Sequence, residues 1–162
     1  MISSDVLTTL FQHHVWANLQ IVEACRALTA EQLAYSKVWA YGSIFVTLQH
    51  ITRAEQGYFS RISTGKRRVR PENEPDMTLG EIADSLRATG AGLIEWAHKI
   101  KAEDTVQIEW DNGELRPMPT ALLFVQVIEH AHEHREQIKA MLTELGIEPP
   151  DLQGWAYFER VY

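Results

Sequence analysis

Apolar residues recur at intervals of three and four along four stretches of the chain, the spacing that places side chains on one face of an α-helix. The first stretch begins near Ser3, Ser4 and Asp5, all favourable N-cap residues, and its inward row is Leu7, Leu10, His14, Ala17, Ile21, Ala24 and Leu28. Thr29 and Gln32 then resemble a capping box. The pattern predicts a long first helix followed by a short helical turn.

A second long helix is predicted after the break at residues 41–43. It ends toward Gly65, and its apolar row is Ile44, Leu48, Ile51, Tyr58 and Ile62. The segment 64–76 that follows is polar and basic, and Pro71 and Pro75 prevent it from continuing the helix. We therefore expect a crossing loop there.

A third long helix is predicted to open at the capping box formed by Thr78 and Glu81. Its apolar row is Leu79, Ile82, Leu86, Leu93, Ala97 and Ile100. Gly90 and Gly92 weaken this helix, because glycine costs about 1 kcal/mol relative to alanine in a helix interior.

A β-hairpin is predicted between the third helix and the last one. Apolar and polar residues alternate along the first strand, at Val106, Ile108 and Trp110. Asn112 and Gly113 supply the positive φ values that a tight turn needs, and Leu115 begins the return strand.

Pro117 and Pro119 lead into the last long helix, which is predicted to run to Leu145 and to stop at Gly146. The whole pattern predicts an all-α fold, a four-helix bundle with a short β-hairpin before the last long helix. Residues 1–162 are expected to form one domain, in which a ligand site would be built from inward-facing side chains.

Two histidines, His130 and His134, lie four residues apart on the apolar row of the last helix, with Leu123, Val127, Ile138, Met141 and Leu145. Positions four apart differ by about 40° around a helix, so both rings can reach one point, and this is metal-ligand spacing. Two buried imidazoles without partners would cost about 1–3 kcal/mol for each stranded nitrogen. His132 falls on the opposite, polar side of the helix.

Composition narrows the functional classes. The chain has 162 residues, one cysteine and a formal net charge of −7, which disfavours nucleic acid as a partner. No basic leader and no apolar run of about 18 residues is present, so no membrane partner is expected. The lone Cys25, expected to be small core filler, fits a reducing compartment, and we expect a soluble, cytoplasmic protein.

A local basic cluster departs from the overall charge. Lys66, Arg67, Arg68 and Arg70 follow Gly65 in the crossing loop. The cluster could contact an acidic substrate or partner, or it could be a solvated loop.

Three motifs carry a family resemblance. They are the segment 13–18, His-His-Val-Trp-Ala-Asn; the segment 47–51, Thr-Leu-Gln-His-Ile; and the segment 130–138, His-Ala-His-Glu-His-Arg-Glu-Gln-Ile, followed by the Leu-Gly-Ile-Glu-Pro-Pro of 145–150. Together they resemble the DinB family, also called DinB/YfiT-like metalloenzymes. Glu136 replaces the glycine that is common in that family's last motif.

The resemblance implies that His50, His130 and His134 are metal ligands, with zinc or nickel as the ion that the family suggests. An all-imidazole donor set also suits iron or cobalt. Three ligands leave a coordination position open, as in a catalytic site. The resemblance implies a metal-dependent enzyme on small molecules, either a transferase of a low-molecular-weight thiol or a hydrolase, because the family includes bacillithiol S-transferases and mycothiol-dependent isomerases.

Other roles stay open. His14 could be a satisfied core histidine, a second-shell partner of the site or a substrate contact, and Trp16 could be packing or line the site. No general base is identified, because Glu129 and Glu133 are predicted to face outward and Glu55 away from His50.

Two other functional classes compete with an enzyme. A non-catalytic bundle that binds a metal or small ligand in a stress response is one alternative. A di-iron carboxylate protein is a weaker one, because its Glu-x-x-His spacing appears only at Glu129 and His132, on the polar face.

The C-terminal tail is unusually aromatic, with Trp155, Tyr157, Phe158 and Tyr162. Such a tail is expected to pack on the bundle or on a second subunit. We therefore expect a homodimer, which is usual among the resembling proteins.

Overall fold

The computed structural model describes residues 5–109 and 112–161, so the expectations for Ser3, Ser4, Trp110 and Tyr162 lie outside the described residues. Along the chain the elements are α1 (Val6–Arg26), α2 (Ala30–Leu33), α3 (Ile44–Thr64), α4 (Leu79–Ala97), β1 (Thr105–Glu109), β2 (Leu115–Pro119), α5 (Thr120–Glu144) and α6 (Gly154–Val161).

The four long helices pack as a closed ring. Both α1 and α3 contact α4, and both also contact α5. β1 and β2 pair antiparallel, with Val106 opposite Met118, and Gly113 turns the hairpin at a φ of 78°. The predicted four-helix bundle with a hairpin before the last long helix is confirmed.

Side-chain caps mark where α1 and α4 begin. The Asp5 carboxylate accepts a hydrogen bond from the Thr8 backbone N–H at 2.9 Å, and α1 starts at the next residue after Asp5. Thr78 and Glu81 form the predicted reciprocal capping box of α4. The α4 helix ends at Ala97, so the prediction that it continues through Ile100 is wrong.

The inward face of α1 differs from the predicted row. Leu10 is 45% exposed, whereas Phe11 is fully buried against Phe124 with ring centroids 5.2 Å apart. The prediction for Leu10 is therefore wrong. The buried face combines the ring of Phe11 with two polar side chains, those of His14 and Asn18. It also includes Ala17, Ile21, Val22 and Cys25.

Gly90 marks a close approach between α1 and α4. A Cβ atom at this position would lie 2.3 Å from Cγ2 of Val15, so only glycine allows the two helices to come so near. Gly92 has the same relationship with the ring of Phe59 on α3. The two glycines lower the intrinsic stability of the helix, and the close packing of α4 against α1 and α3 requires them.

A layer of polar side chains divides the core into two apolar clusters. One cluster includes Ile21, Leu48, Leu86 and Ile138, and the other includes Phe11, Ile62, Leu93 and Val127. Each long helix supplies the layer with at least one buried residue, and its members are His14, Asn18, Glu55, Thr89 and Arg135. We call this set the polar layer.

Glu55 is the centre of the polar layer and is only 2% exposed. Its carboxylate accepts hydrogen bonds from Nε2 of His14 at 2.7 Å, from Nδ2 of Asn18 at 3.0 Å and from the hydroxyl of Thr89. Arg135 donates to Oδ1 of Asn18 at 2.6 Å. The network joins all four long helices.

Helix α6 packs on α1 through one face only. The ring of Tyr157 lies 5.3 Å from that of Trp16, whereas Trp155 is 79% exposed. Every helix of the described residues is too short or too polar to cross a lipid bilayer.

Candidate metal centre

Three histidines from two neighbouring helices meet at the α3–α5 contact. His50 comes from α3, and His130 and His134 come from successive turns of α5. The three pairs of ring centroids are separated by 4.8, 4.7 and 4.6 Å. The spacing of four residues on α5 thus places the rings of His130 and His134 beside the same point of α3.

The donor atoms of this histidine trio fit one divalent ion. One ring nitrogen from each residue lies within 4.8 Å of the other two, and Nε2 of His50 and Nε2 of His130 are 2.9 Å apart. A tetrahedral ion with N ligands at 2.0–2.1 Å needs N···N separations of about 3.3 Å, which falls inside this range. The three nitrogens therefore lie near the spacing that one ion requires.

Gln137 determines the tautomer of His134. Oε1 of Gln137 accepts the backbone N–H of Tyr41 at 3.1 Å, which identifies this atom as the amide oxygen. Nδ1 of His134 lies 3.0 Å from the same oxygen and must therefore carry the proton. In the neutral ring, Nε2 of His134 then keeps a lone pair that can bind a metal.

The surroundings of His50 and His130 favour neutral imidazoles. Burial, together with the nearby His134 and His50, lowers the pKa of His130 to about 4. Burial and then His134 also lower the pKa of His50. Both rings are therefore unprotonated at neutral pH, which is the state required of a metal ligand.

Aromatic rings border the histidines. The ring of Tyr41 stacks on that of His50, with centroids 3.8 Å apart and planes inclined by 17°, and Tyr58 approaches His130 edge-on at 5.7 Å. A cleft of about 260 Å³ opens beside His50 and is partly lined by Tyr41. The cleft gives a small molecule access to His50.

The carboxylates near the trio in sequence do not join it. Glu129, Glu133 and His132 are all exposed on the outer face of α5, as predicted from helix periodicity. Glu55, on α3, belongs to the polar layer. Among the described residues, the cluster that could hold a metal contains only the three histidines, so a di-iron carboxylate site has no support.

The remaining candidate residues lie elsewhere. His14 is buried in the polar layer, where its Nε2 donates to Glu55. Trp16 packs against His13 and Tyr157 on the α6 side of α1. Cys25 is fully buried, and burial raises the pKa of its thiol to about 12, which agrees with its expected role as core filler.

Sequence reasoning missed the residues that support the site. Gln137 lies three residues after His134 on the same helix face, so helix spacing could have identified it. Tyr41 and the partners of Glu55 come from other elements, and no local spacing connects them to the residues that they contact.

Comparison with known proteins agrees with this architecture. The pattern of the DinB family matches residues 1–160. A DinB-like protein from Bacillus cereus superposes with a TM-score of 0.61 at 17% identity, covering 86% of this chain and 91% of that one. The DinB-like protein YjoA from Bacillus subtilis superposes with a TM-score of 0.64 at 14% identity, covering 91% and 97%.

At these identities the two structures bear on the fold alone. No functionally curated protein matches the sequence significantly. The family pattern, by contrast, extends over nearly the whole chain, and the three motifs that carry the resemblance all lie within it. The chain belongs to the DinB family.

Proposed function

We propose that this protein binds one divalent metal ion through His50, His130 and His134 and acts on a small molecule at that site. The observation that supports the proposal best is the convergence of one ring nitrogen from each residue within 4.8 Å. Zinc and nickel are the proposed ions, and the imidazole donor set also accommodates iron and cobalt.

The protein side chains account for binding and access. The hydrogen bond to Gln137 orients His134, and the stacked ring of Tyr41 restrains His50. The cleft beside His50 admits a small molecule from one side. When bound, a divalent ion would supply a Lewis acid that lowers the pKa of a water or thiol at its open position.

Transfer of a low-molecular-weight thiol to an electrophile is the reaction that we favour, with hydrolysis as the second candidate. Thiol transfer requires a thiol to bind at the site, whereas hydrolysis does not. Loading the protein with Co²⁺ distinguishes them, because binding of L-cysteine or glutathione would produce a sulfur-to-cobalt charge-transfer band in the near ultraviolet.

The expected result is that band in the wild-type protein, accompanied by conjugation of the thiol to monochlorobimane above the rate without protein. His132→Ala should behave like the wild type, because His132 is exposed on the other face of α5. No band, combined with turnover of p-nitrophenyl acetate, would replace the transferase by a hydrolase.

A non-catalytic metal-binding or small-ligand-binding protein is the alternative function. Among the residues that the structure describes, no carboxylate joins the trio as a general base, and this observation favours it. Bound metal without a thiol band and without turnover of either compound would support this alternative over an enzyme.

Homodimer formation and a cytoplasmic location are further proposals. Trp155 and Phe158 on α6 are exposed and offer apolar surface to a second copy. Light scattering coupled to size exclusion should give twice the chain mass of 18.5 kDa for the wild type, and a smaller dimer fraction for Trp155→Ser. The buried free thiol of Cys25 favours a reducing compartment.

A further inference from the structure

A groove lined by arginines begins beside the histidine trio. The cleft next to His50 has Arg53 and Arg70 in its wall. A second cleft, of about 230 Å³, shares Arg53 and Arg70 with the first and is also lined by Arg61, Arg67 and Arg68. The two clefts therefore lie side by side with Arg53 and Arg70 in the walls of both, and we call them together the arginine groove.

The arginine groove carries more positive than negative charge. Glu74 pairs with Arg53 at 3.4 Å, with Arg70 at 3.1 Å and with Arg68, and Asp76 pairs with Arg53 at 3.0 Å. Five guanidinium groups meet two contacting carboxylates there, which leaves three positive charges unmatched. This excess contrasts with the net charge of −7 of the whole chain.

Arg61 and Arg67 show the effect of this excess. Burial, and then the positive charge of Arg67, lowers the pKa of Arg61. The guanidinium of Arg61 donates to the carbonyl oxygen of Gly57 at 3.3 Å, which is a neutral partner. An anion bound between the two side chains would offset their repulsion.

We propose that the arginine groove binds the oxyanion group of the substrate, a carboxylate or a phosphate, while the reactive end of the same molecule reaches His50. Guanidinium groups bind such oxyanions through paired, charge-assisted hydrogen bonds. The two clefts together have the size of an ordinary small-molecule site, about 300–1,000 Å³. This inference rests on the proposed function, because it assigns a substrate class to the same site.

The groove is also held in a defined shape. Gln49 of α3 donates to the carbonyl oxygen of Met77 at 2.6 Å and accepts its backbone N–H at 3.2 Å. Arg53 donates to the carbonyl oxygen of Pro75 at 2.9 Å. These bonds attach the end of the crossing loop to α3, so the loop arginines face the helix that carries His50.

The test is isothermal titration of the full-length protein with sodium succinate and, separately, with inorganic phosphate at low ionic strength. We expect Arg70→Gln and Arg67→Gln to weaken binding of the preferred anion about tenfold, the effect of losing one charge-assisted contact. Both side chains lie at the surface, so folding should not be affected. Stronger binding of succinate or of phosphate identifies the oxyanion.

Arg26→Gln is the matched control, because it removes the same charge from α1, where Arg26 pairs with Glu23 outside the groove. Equal affinities in Arg70→Gln, Arg67→Gln and Arg26→Gln, or no binding of either anion, would overturn the proposal. Binding of a single-stranded oligonucleotide that depends on Arg67 and Arg70 would overturn it in favour of a nucleic-acid surface.

Metal analysis of the same samples separates the two proposals. Arg70→Gln and Arg67→Gln should keep the wild-type zinc content, since neither residue belongs to the trio. If neither anion binds to the arginine groove while zinc is retained, only the proposed substrate class is wrong. If zinc is absent while the anion still binds, the proposed function fails and the groove stands.

Discussion

The Nδ1–H group of His134 donates to Oε1 of Gln137, one turn further along α5, at 3.0 Å. The same oxygen accepts the backbone N–H of Tyr41, so the amide is held from two directions. Nδ1 of His134 is thereby occupied by a hydrogen bond within the protein. Nε2 is left for the site that His134 shares with His50 and His130.

Removing this support should weaken metal binding without removing a ligand. We expect Gln137→Leu to lower zinc affinity about tenfold, the lower end of the effect of losing a hydrogen bond to a metal-binding histidine. Competition with a chromophoric chelator measures the affinity. Glu136→Gln is the control, because Glu136 is exposed and pairs only with Lys139 among its described contacts. The same affinity in both variants would show that Gln137 does not orient His134.

The polar layer should be a sensitive point for stability. Arg135→Met removes a buried positive charge near Glu55 and leaves Oδ1 of Asn18 without its donor. We expect a loss of about 3 kcal/mol in the free energy of unfolding, measured by urea denaturation, because the buried Glu55 carboxylate loses a nearby positive charge. Adding Glu55→Gln should recover part of this loss, because the unpaired charge is then gone.

Arg87→Met provides the comparison for that experiment. Arg87 pairs with Asp84 on the exposed side of α4, and such pairs contribute about 0–1 kcal/mol. A loss in Arg135→Met no larger than that in Arg87→Met would contradict the role given to the polar layer.

The α1–α4 contact should reject any side chain at Gly90. Gly90→Ala places its methyl group against Val15, and we expect a loss of about 1–3 kcal/mol, typical of overpacking. Val15→Ala in the same chain should remove most of the clash, giving a non-additive double mutant. Gly80→Ala lies on the same helix, but its Cβ atom would be 3.8 Å from the nearest atom, Oγ1 of Thr78. This substitution should therefore be neutral or stabilising. A destabilisation of equal size at both glycines would rule out the steric explanation.

The sequence determined the bundle well because its signals are local. A capping residue such as Thr78 lies directly before the helix that it starts. A buried residue such as Ile138 belongs to an apolar pattern that repeats every three or four positions within its own helix. The pairing of His130 with His134 follows from helix geometry in the same way. The predicted row of α1 is wrong at Leu10, because Leu10 and Phe11 are adjacent apolar residues and only the neighbouring helices determine which of them turns inward.

The rest of the site depends on contacts between distant segments. No spacing links His50 to His130, 80 residues apart in the chain, so only the family resemblance suggested that pair. Glu55 was expected to point away from His50, and it does, but its partners on α1 and α4 could not be inferred. Burial of a carboxylate is visible only when four helices are placed together.

Alkaline pH should destabilise the protein through Cys25. Burial raises the pKa of this thiol to about 12, whereas an unfolded cysteine titrates near 8.5. Below pH 8.5 the thiol is neutral in both states. As the pH rises further, only the unfolded state loses the proton, so the free energy of unfolding falls by up to about 1.4 kcal/mol per pH unit.

Urea denaturation from pH 8 to pH 10.5 measures this slope, and Cys25→Ala removes the contribution of the thiol. The wild type should lose more stability over this range than the variant does. Parallel pH profiles for the two proteins would mean that Cys25 is not held neutral in the core.

Zinc content after equilibrium dialysis tests the central claim most directly. Tag-free wild-type protein and His132→Ala should each retain about one zinc ion per chain, as a single three-histidine site requires. His134→Ala should retain almost none while its circular dichroism stays helical. If folded His134→Ala holds as much zinc as His132→Ala, the three histidines are not a metal site.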